Sequence, residues 1–123
     1  MRPASILVVD DDPDTLASLS DVLADLGYGV DVAGGGRSAL ELASRHGYGL
    51  ALLDYRMPDM DGVELFVRIR ETHSDVVGVL ITTVAAAETV TAATEAGVRD
   101  IILKPVDFGR LLPLVEQAVG PPG

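Results

Sequence analysis

Apolar residues along this chain fall into two alternating patterns. Four short runs are solid: Ile6-Leu7-Val8-Val9, Leu50-Ala51-Leu52-Leu53, Val76-Val77-Gly78-Val79-Leu80-Ile81 and Ile101-Ile102-Leu103. The first three, rich in leucine and β-branched residues, predict strands buried on both faces, and the fourth predicts the last strand. A fifth segment, Val30-Asp31-Val32, alternates instead and predicts an edge strand with one wetter face. Between these runs the apolar positions recur at helical spacing. The first helix has Asp12 at its N-cap and Pro13 at its first position, turns Leu16, Leu19, Val22, Leu23 and Leu26 inward, and closes at Gly27. The second carries Ala39, Leu40, Leu42 and Ala43 and ends at Gly47; the third turns Val63, Phe66, Val67 and Ile69 inward. A fourth runs from Ala85 to Ala96 before Gly97, and a fifth from Phe108 to Val119. If Asp107 caps that last helix, Pro113 lies beyond the first turn and removes a backbone bond, so an irregular first turn or a kink is expected.

Five β/α repeats in this order predict an α/β fold, with a parallel sheet, helices on both faces and right-handed crossovers. No composition break occurs before Gly120, so residues 1–119 read as one domain. The remaining Gly120-Pro121-Pro122-Gly123 reads as a tail or the start of a linker. Met1 to Ala4 lead directly into the first apolar run, without the pattern of a signal peptide.

In an open sheet of this kind ligands bind beyond the carboxyl ends of the strands, so the residues that end each strand locate the site. The first strand ends in Asp10-Asp11, the third in Asp54, the fourth in Thr82-Thr83 and the fifth in Lys104. The Gly34-Gly35-Gly36 triplet after the second lacks both the dinucleotide fingerprint and the Walker lysine, and reads as a turn. His46 and His73 lie at no strand end and read as surface residues.

Composition sharpens this picture. The 123 residues carry 19 acids against 9 bases, a formal charge of −10, which argues against nucleic acid or an anionic membrane as the main partner. Eight of the nine bases are arginine, and Lys104 is the single lysine. With no cysteine, thiol nucleophiles and cysteine-ligated metals are excluded. No apolar run reaches the roughly 18 residues of a membrane span, so a cytoplasmic protein is expected. Two carboxylates about 5 Å apart repel by roughly 3 kcal/mol at an effective dielectric near 20. Three such groups favour a hard divalent cation, and an all-oxygen set points to Mg²⁺. A carboxylate beside Mg²⁺, faced by a lysine and a hydroxyl, is equipped for phosphoryl transfer through an acyl phosphate.

These residues resemble the receiver domain of two-component response regulators, the CheY-like fold. The likeness spans residues 5 to 119. It rests on Ile6-Leu7-Val8-Val9-Asp10-Asp11-Asp12, on Leu53-Asp54-Tyr55-Arg56-Met57-Pro58-Asp59-Met60-Asp61-Gly62, and on Thr82, Gly97 and Lys104-Pro105. The resemblance implies a doubly wound, flavodoxin-like (βα)5 sandwich with strand order 2-1-3-4-5 and a cis Lys104–Pro105 peptide. It implies that Asp54 accepts a phosphoryl group from a sensor histidine kinase or phosphotransfer protein. Mg²⁺ would be held by Asp11, Asp54 and the backbone carbonyl of Arg56, with Asp10 acting through water. Lys104 would contact a phosphoryl oxygen. Thr82, chosen over Thr83 by its 22-residue step to Lys104, would be the switch hydroxyl.

The chain departs from the family pattern in places. Thr83 stands where the family prefers alanine or glycine, at a position that controls access to the acceptor. Ile101 replaces the usual aromatic ring, which excludes a ring-flip readout. Arg56 and Val84 occupy positions that tune phosphoryl lifetime in relatives. The face of the fourth helix, fifth strand and fifth helix, the family's usual output or dimer surface, is poor in charge. Val90, Ala93, Ile101 and Val106 are its candidates, with Arg99 and Arg110 at the margins, so a largely apolar homodimer or output contact is expected there. The leading expectation is a signalling switch whose only chemistry is its own phosphorylation and dephosphorylation, not an enzyme. Two alternatives are a receiver-like interaction module that is never phosphorylated and a haloacid-dehalogenase-like phosphohydrolase. The latter needs an acidic pair after the lysine, where only Asp107 and Glu116 follow.

Overall fold

Each solid apolar run becomes a strand, and each periodic segment a helix. The computed structural model describes residues 5–122, which leaves the Met1–Ala4 start and Gly123 outside the described residues. The elements are β1 (Ile6–Val9), α1 (Pro13–Asp25), β2 (Val30–Ala33), α2 (Gly36–Arg45), β3 (Leu50–Asp54), α3 (Gly62–Thr72), β4 (Val77–Thr82), α4 (Ala87–Ala96), β5 (Asp100–Leu103) and α5 (Phe108–Val119). The strands form one parallel sheet in the order β2-β1-β3-β4-β5. The alternating strand β2 takes an edge and leaves Val32 exposed, while β1 and β3 are buried along their whole length.

Alternation along the strands divides the core between two faces. Leu7, Val9, Ala51, Leu53 and Leu80 point to one side, where Ala39, Leu65, Phe66, Ile69 and Ala93 from α2, α3 and α4 meet them. Ile6, Val8, Leu50, Leu52, Val79 and Ile81 point to the other, covered by Leu19 and Leu23 of α1 and Leu111 and Val115 of α5. This is the doubly wound arrangement that the resemblance implies.

Local chemistry sets most boundaries. Asp12, Asp61 and Asp107 cap α1, α3 and α5, each accepting from a backbone N–H inside its own helix. α4 starts at Ala87, two residues later than the sequence predicts. Its N-cap is Ala86, which offers no acceptor, so the alanine run carries no start signal. Two inward assignments fail. On α3 the buried face is Gly62, Leu65, Phe66 and Ile69. Val67 sits about 100° past Phe66 around the helix and is exposed. Leu26 is the C-cap of α1, next to the left-handed Gly27, and it too is exposed. α5 runs unbroken through Pro113, and its first turn shares one acceptor between two donors, as is common at helix ends. The N–H groups of Arg110 and Leu111 both donate to the Asp107 carbonyl, at 3.1 and 3.0 Å.

Candidate functional site

Register brings the strand ends to one height. Val9 pairs with Ala33 on one side and Leu53 on the other, so the residue after Val9, Asp10, stands level with Asp54. Across the sheet Thr82 pairs with Leu103, and the next residue, Lys104, donates its backbone N–H to the Thr82 carbonyl at 2.8 Å. The Lys104–Pro105 peptide is cis, as the resemblance implies.

Four side chains converge at this edge. Asp10 is only 2% exposed and Asp54 7%, so two carboxylates are held almost out of water, while Asp11 beside them is exposed. Lys104 reaches over both, with Nζ 2.7 Å from Asp10 Oδ2 and 3.7 Å from Asp54 Oδ1. Asp10 also accepts the Asp12 backbone N–H at 2.9 Å, which fixes its rotamer. Burial, then the neighbouring Asp10 charge, pushes the Asp54 carboxyl up to about 6 against the pull of Lys104. Burial alone would lower the Lys104 ammonium, but its hydrogen bond to Asp10 and the charges of Asp10 and Asp54 hold it above its ordinary value.

One oxygen from each of Asp10, Asp11 and Asp54 lies within 4.8 Å of the others. Three carboxylates against one ammonium leave an excess of negative charge, and the donors are oxygen alone. That set fits a hard divalent cation such as Mg²⁺.

The other sequence-selected residues surround this cluster without joining it. Thr82 is buried at the end of β4, and its hydroxyl donates to the Val84 carbonyl at 3.3 Å, not to the acids. Thr83, Val84 and Arg56 are exposed on the flanking loops. Ile101 is half-buried, level with Leu80 in the sheet and packed against the core. His46 is exposed, and the His73 ring lies 2.6 Å from the Ala43 carbonyl, away from the acids.

On the face of α4, β5 and α5, a groove of about 350 Å³ is lined by Val90, Val98, Ile101 and Leu103 among others. Two corrections apply there. Ala93 is buried beneath the groove and is not a surface residue, whereas Leu103, which the sequence reading passed over, is 50% exposed. Arg110, expected at the margin of this face, clasps both oxygens of Asp100 at 3.0 and 3.1 Å.

Asp59 was also missed. It lies in the loop between Asp54 and α3, yet both its oxygens accept from the first two N–H groups of α2, Gly36 at 3.1 Å and Arg37 at 2.9 Å. The available signal was negative, because Gly35 at the start of α2 has no side chain with which to cap it.

A family model of the response regulator receiver domain matches residues 6–116. The transcriptional regulatory protein ZraR of Escherichia coli K12 is 35% identical over 114 residues, 93% of this chain. That match covers 26% of ZraR, so the chain spans about a quarter of that relative. A 14.6 kDa protein of Leptolyngbya boryana is 42% identical, across 91% of this chain and 87% of its own length. Among solved structures, a CheY-like receiver domain protein of Methanospirillum hungatei superposes with a TM-score of 0.88 at 30% identity, covering 94% of this chain and 93% of that one. The chemotaxis protein CheY4 of Vibrio cholerae gives 0.87 at 27% identity, over 96% of this chain and all of its own.

Proposed function

Because this chain belongs to the response regulator receiver domain family, a phosphorylation-activated signalling switch, we propose that Asp54 is its phosphoacceptor. Receiver domains take their phosphoryl group from histidine kinases or phosphotransfer proteins, and the donor here is proposed to be one of these. The observation that carries the reading is the convergence of Asp10, Asp11 and Asp54, oxygens within 4.8 Å, under the ammonium of Lys104.

Each residue then has a physical task. An Asp54 oxygen attacks phosphorus, the bond to the donor's nitrogen or oxygen breaks, and the leaving group departs with the electron pair. Lys104 stays tethered to Asp10 while its looser contact with Asp54 leaves protons free for a phosphoryl oxygen. Asp11, Asp54 and the Arg56 carbonyl would hold Mg²⁺, with Asp10 engaging it through water. Once bound, the cation supplies positive charge that offsets the carboxylates and the incoming phosphoryl oxygens. Thr82 can exchange its bond to the Val84 carbonyl for one to a phosphoryl oxygen, which releases the segment between β4 and α4. Thr83 would narrow access to Asp54, and Arg56 and Val84 would set the phosphoryl lifetime. Autodephosphorylation is the only turnover proposed.

The output is read at the groove on α4, β5 and α5, where Val90, Ile101 and Leu103 would meet a second copy or an output partner. Among the described residues no helix is long and apolar enough to cross a membrane. A cytoplasmic location is proposed from that together with the family. The alternatives of an inert module or a phosphohydrolase gain no support from the comparisons.

Incubation with acetyl phosphate and Mg²⁺, followed by intact mass spectrometry, tests the acceptor. One phosphoryl adduct is expected on the wild type and none on Asp54→Ala or after chelation. An adduct that survives in Asp54→Ala would overturn the assignment.

A further inference from the structure

The loop from Tyr55 to Asp61 carries the Arg56 carbonyl, the one proposed Mg²⁺ ligand that no substitution can remove. A side-chain ligand is placed by its own rotamer, but a backbone ligand is placed only by the shape of its loop. What fixes that shape is therefore part of the metal site. The base of the loop is closed by the Gly62 N–H donating to the Tyr55 carbonyl at 2.8 Å. Its tip is fastened somewhere else entirely, on the N-terminus of α2.

Two independent contacts make that fastening. Asp59 spans the free N–H groups of Gly36 and Arg37 with both carboxylate oxygens. These are charge-assisted bonds at the positive end of a helix. Next to it, Met60 lies flat over Gly36, so close that a Cβ there would stand 2.3 Å from Met60 Cγ. α1, α3 and α5 each use a capping aspartate from the residue just before them, whereas α2 takes its cap from 23 residues downstream. Such a cap serves the loop as much as the helix. The two hydrogen bonds hold the Asp59 carboxyl below its ordinary value, so the clamp stays charged throughout the neutral range.

We infer that Asp59 is a positioning residue for the Mg²⁺ site, clamping the Arg56 loop onto α2 so that the Arg56 carbonyl is presented to the cation before it binds. The inference rests on the reading of Asp54, Asp11 and Arg56 as the metal site.

Calorimetric titration of Mg²⁺, compared with the phosphorylation rate from acetyl phosphate at low and saturating Mg²⁺, tests it. Asp59→Ala is expected to weaken Mg²⁺ binding by about tenfold, the scale of lost outer-sphere support. Its phosphorylation rate should recover once Mg²⁺ saturates. Asp59→Asn, which retains one acceptor oxygen, should fall between it and the wild type, and covers the case in which the alanine variant folds poorly. A purely structural cap would lower the melting temperature while leaving Mg²⁺ affinity unchanged, and that result overturns the inference. So does a rate deficit that persists at saturating Mg²⁺. If the wild type itself binds no Mg²⁺, the underlying reading of the site fails, and the wild-type titration alone reveals it.

Discussion

Asp54 is held at a cost, and its protonation shows where that cost falls. Its carboxyl is raised from an ordinary 3.8 to about 6 by burial and by Asp10. An acid with a raised folded-state pKa contributes stability that is fully present below the unfolded value and lost as pH rises through the folded one. At neutral pH, without a cation, the ionised Asp54 therefore weakens the fold. Asp54→Asn removes that charge, while Lys104 keeps its 2.7 Å bond to Asp10. The variant should melt roughly 4 °C above the wild type at pH 7.5 in chelator, as about 1 kcal/mol would give for a domain of this size. The gap should close as pH falls below about 4. Thermal unfolding across pH measures this, and a gap that stays constant with pH would contradict it. The strain is functional in direction, because a buried excess of negative charge is what a divalent cation relieves.

At the scale of elements, the site depends on how closely α3 approaches the end of β3. Gly62 opens α3, and a Cβ there would stand 2.4 Å from the Asp54 carbonyl oxygen and 3.0 Å from Leu80 Cδ2. The first obstacle is backbone and cannot turn aside. Gly62→Ala should cost about 2 kcal/mol by overpacking and move Asp54 with it. Gly34→Ala, with open space around the new methyl, should stay within about 0.5 kcal/mol. Urea denaturation of the two variants compares them, and equal losses would show that α3 tolerates the displacement. Strands, helix order and the acids at the strand ends were legible in the sequence because burial period and capping chemistry are local. Contacts joined across long separations were not. The Asp59 cap on α2, the bond from the Tyr28 hydroxyl to the Gly120 carbonyl and the Tyr48 hydroxyl bonded to Asp31 depend on which loops come together in space. Val67 misled for a related reason, since an apolar residue near the edge of a helical stripe shows its side only when the neighbouring helices are in place.

Across the whole molecule the sheet works as a rigid table. Its two buried faces fix the register, and the register fixes the separation between Asp10, Asp54 and Lys104. What can move lies off the table. The segment after Thr82 is tied by one 3.3 Å hydroxyl bond to the Val84 carbonyl, and Val84 itself is 60% exposed. From there the path to the proposed output face is short, through α4 and the exposed Leu103 of β5. Because Ile101 has no ring to swing inward, the proposed readout runs through this segment and through aliphatic repacking around the groove. Peptide-resolved hydrogen-exchange mass spectrometry, before and after phosphorylation by acetyl phosphate with Mg²⁺, reads acceptor and response together. The phosphoryl group should map to the peptide containing Asp54, with altered exchange in the segment from Thr82 to Ala86 and around Leu103, and no such response in Thr82→Ala. A phosphoryl group on another residue, or Asp54 modified with exchange unchanged along the chain, would contradict the account.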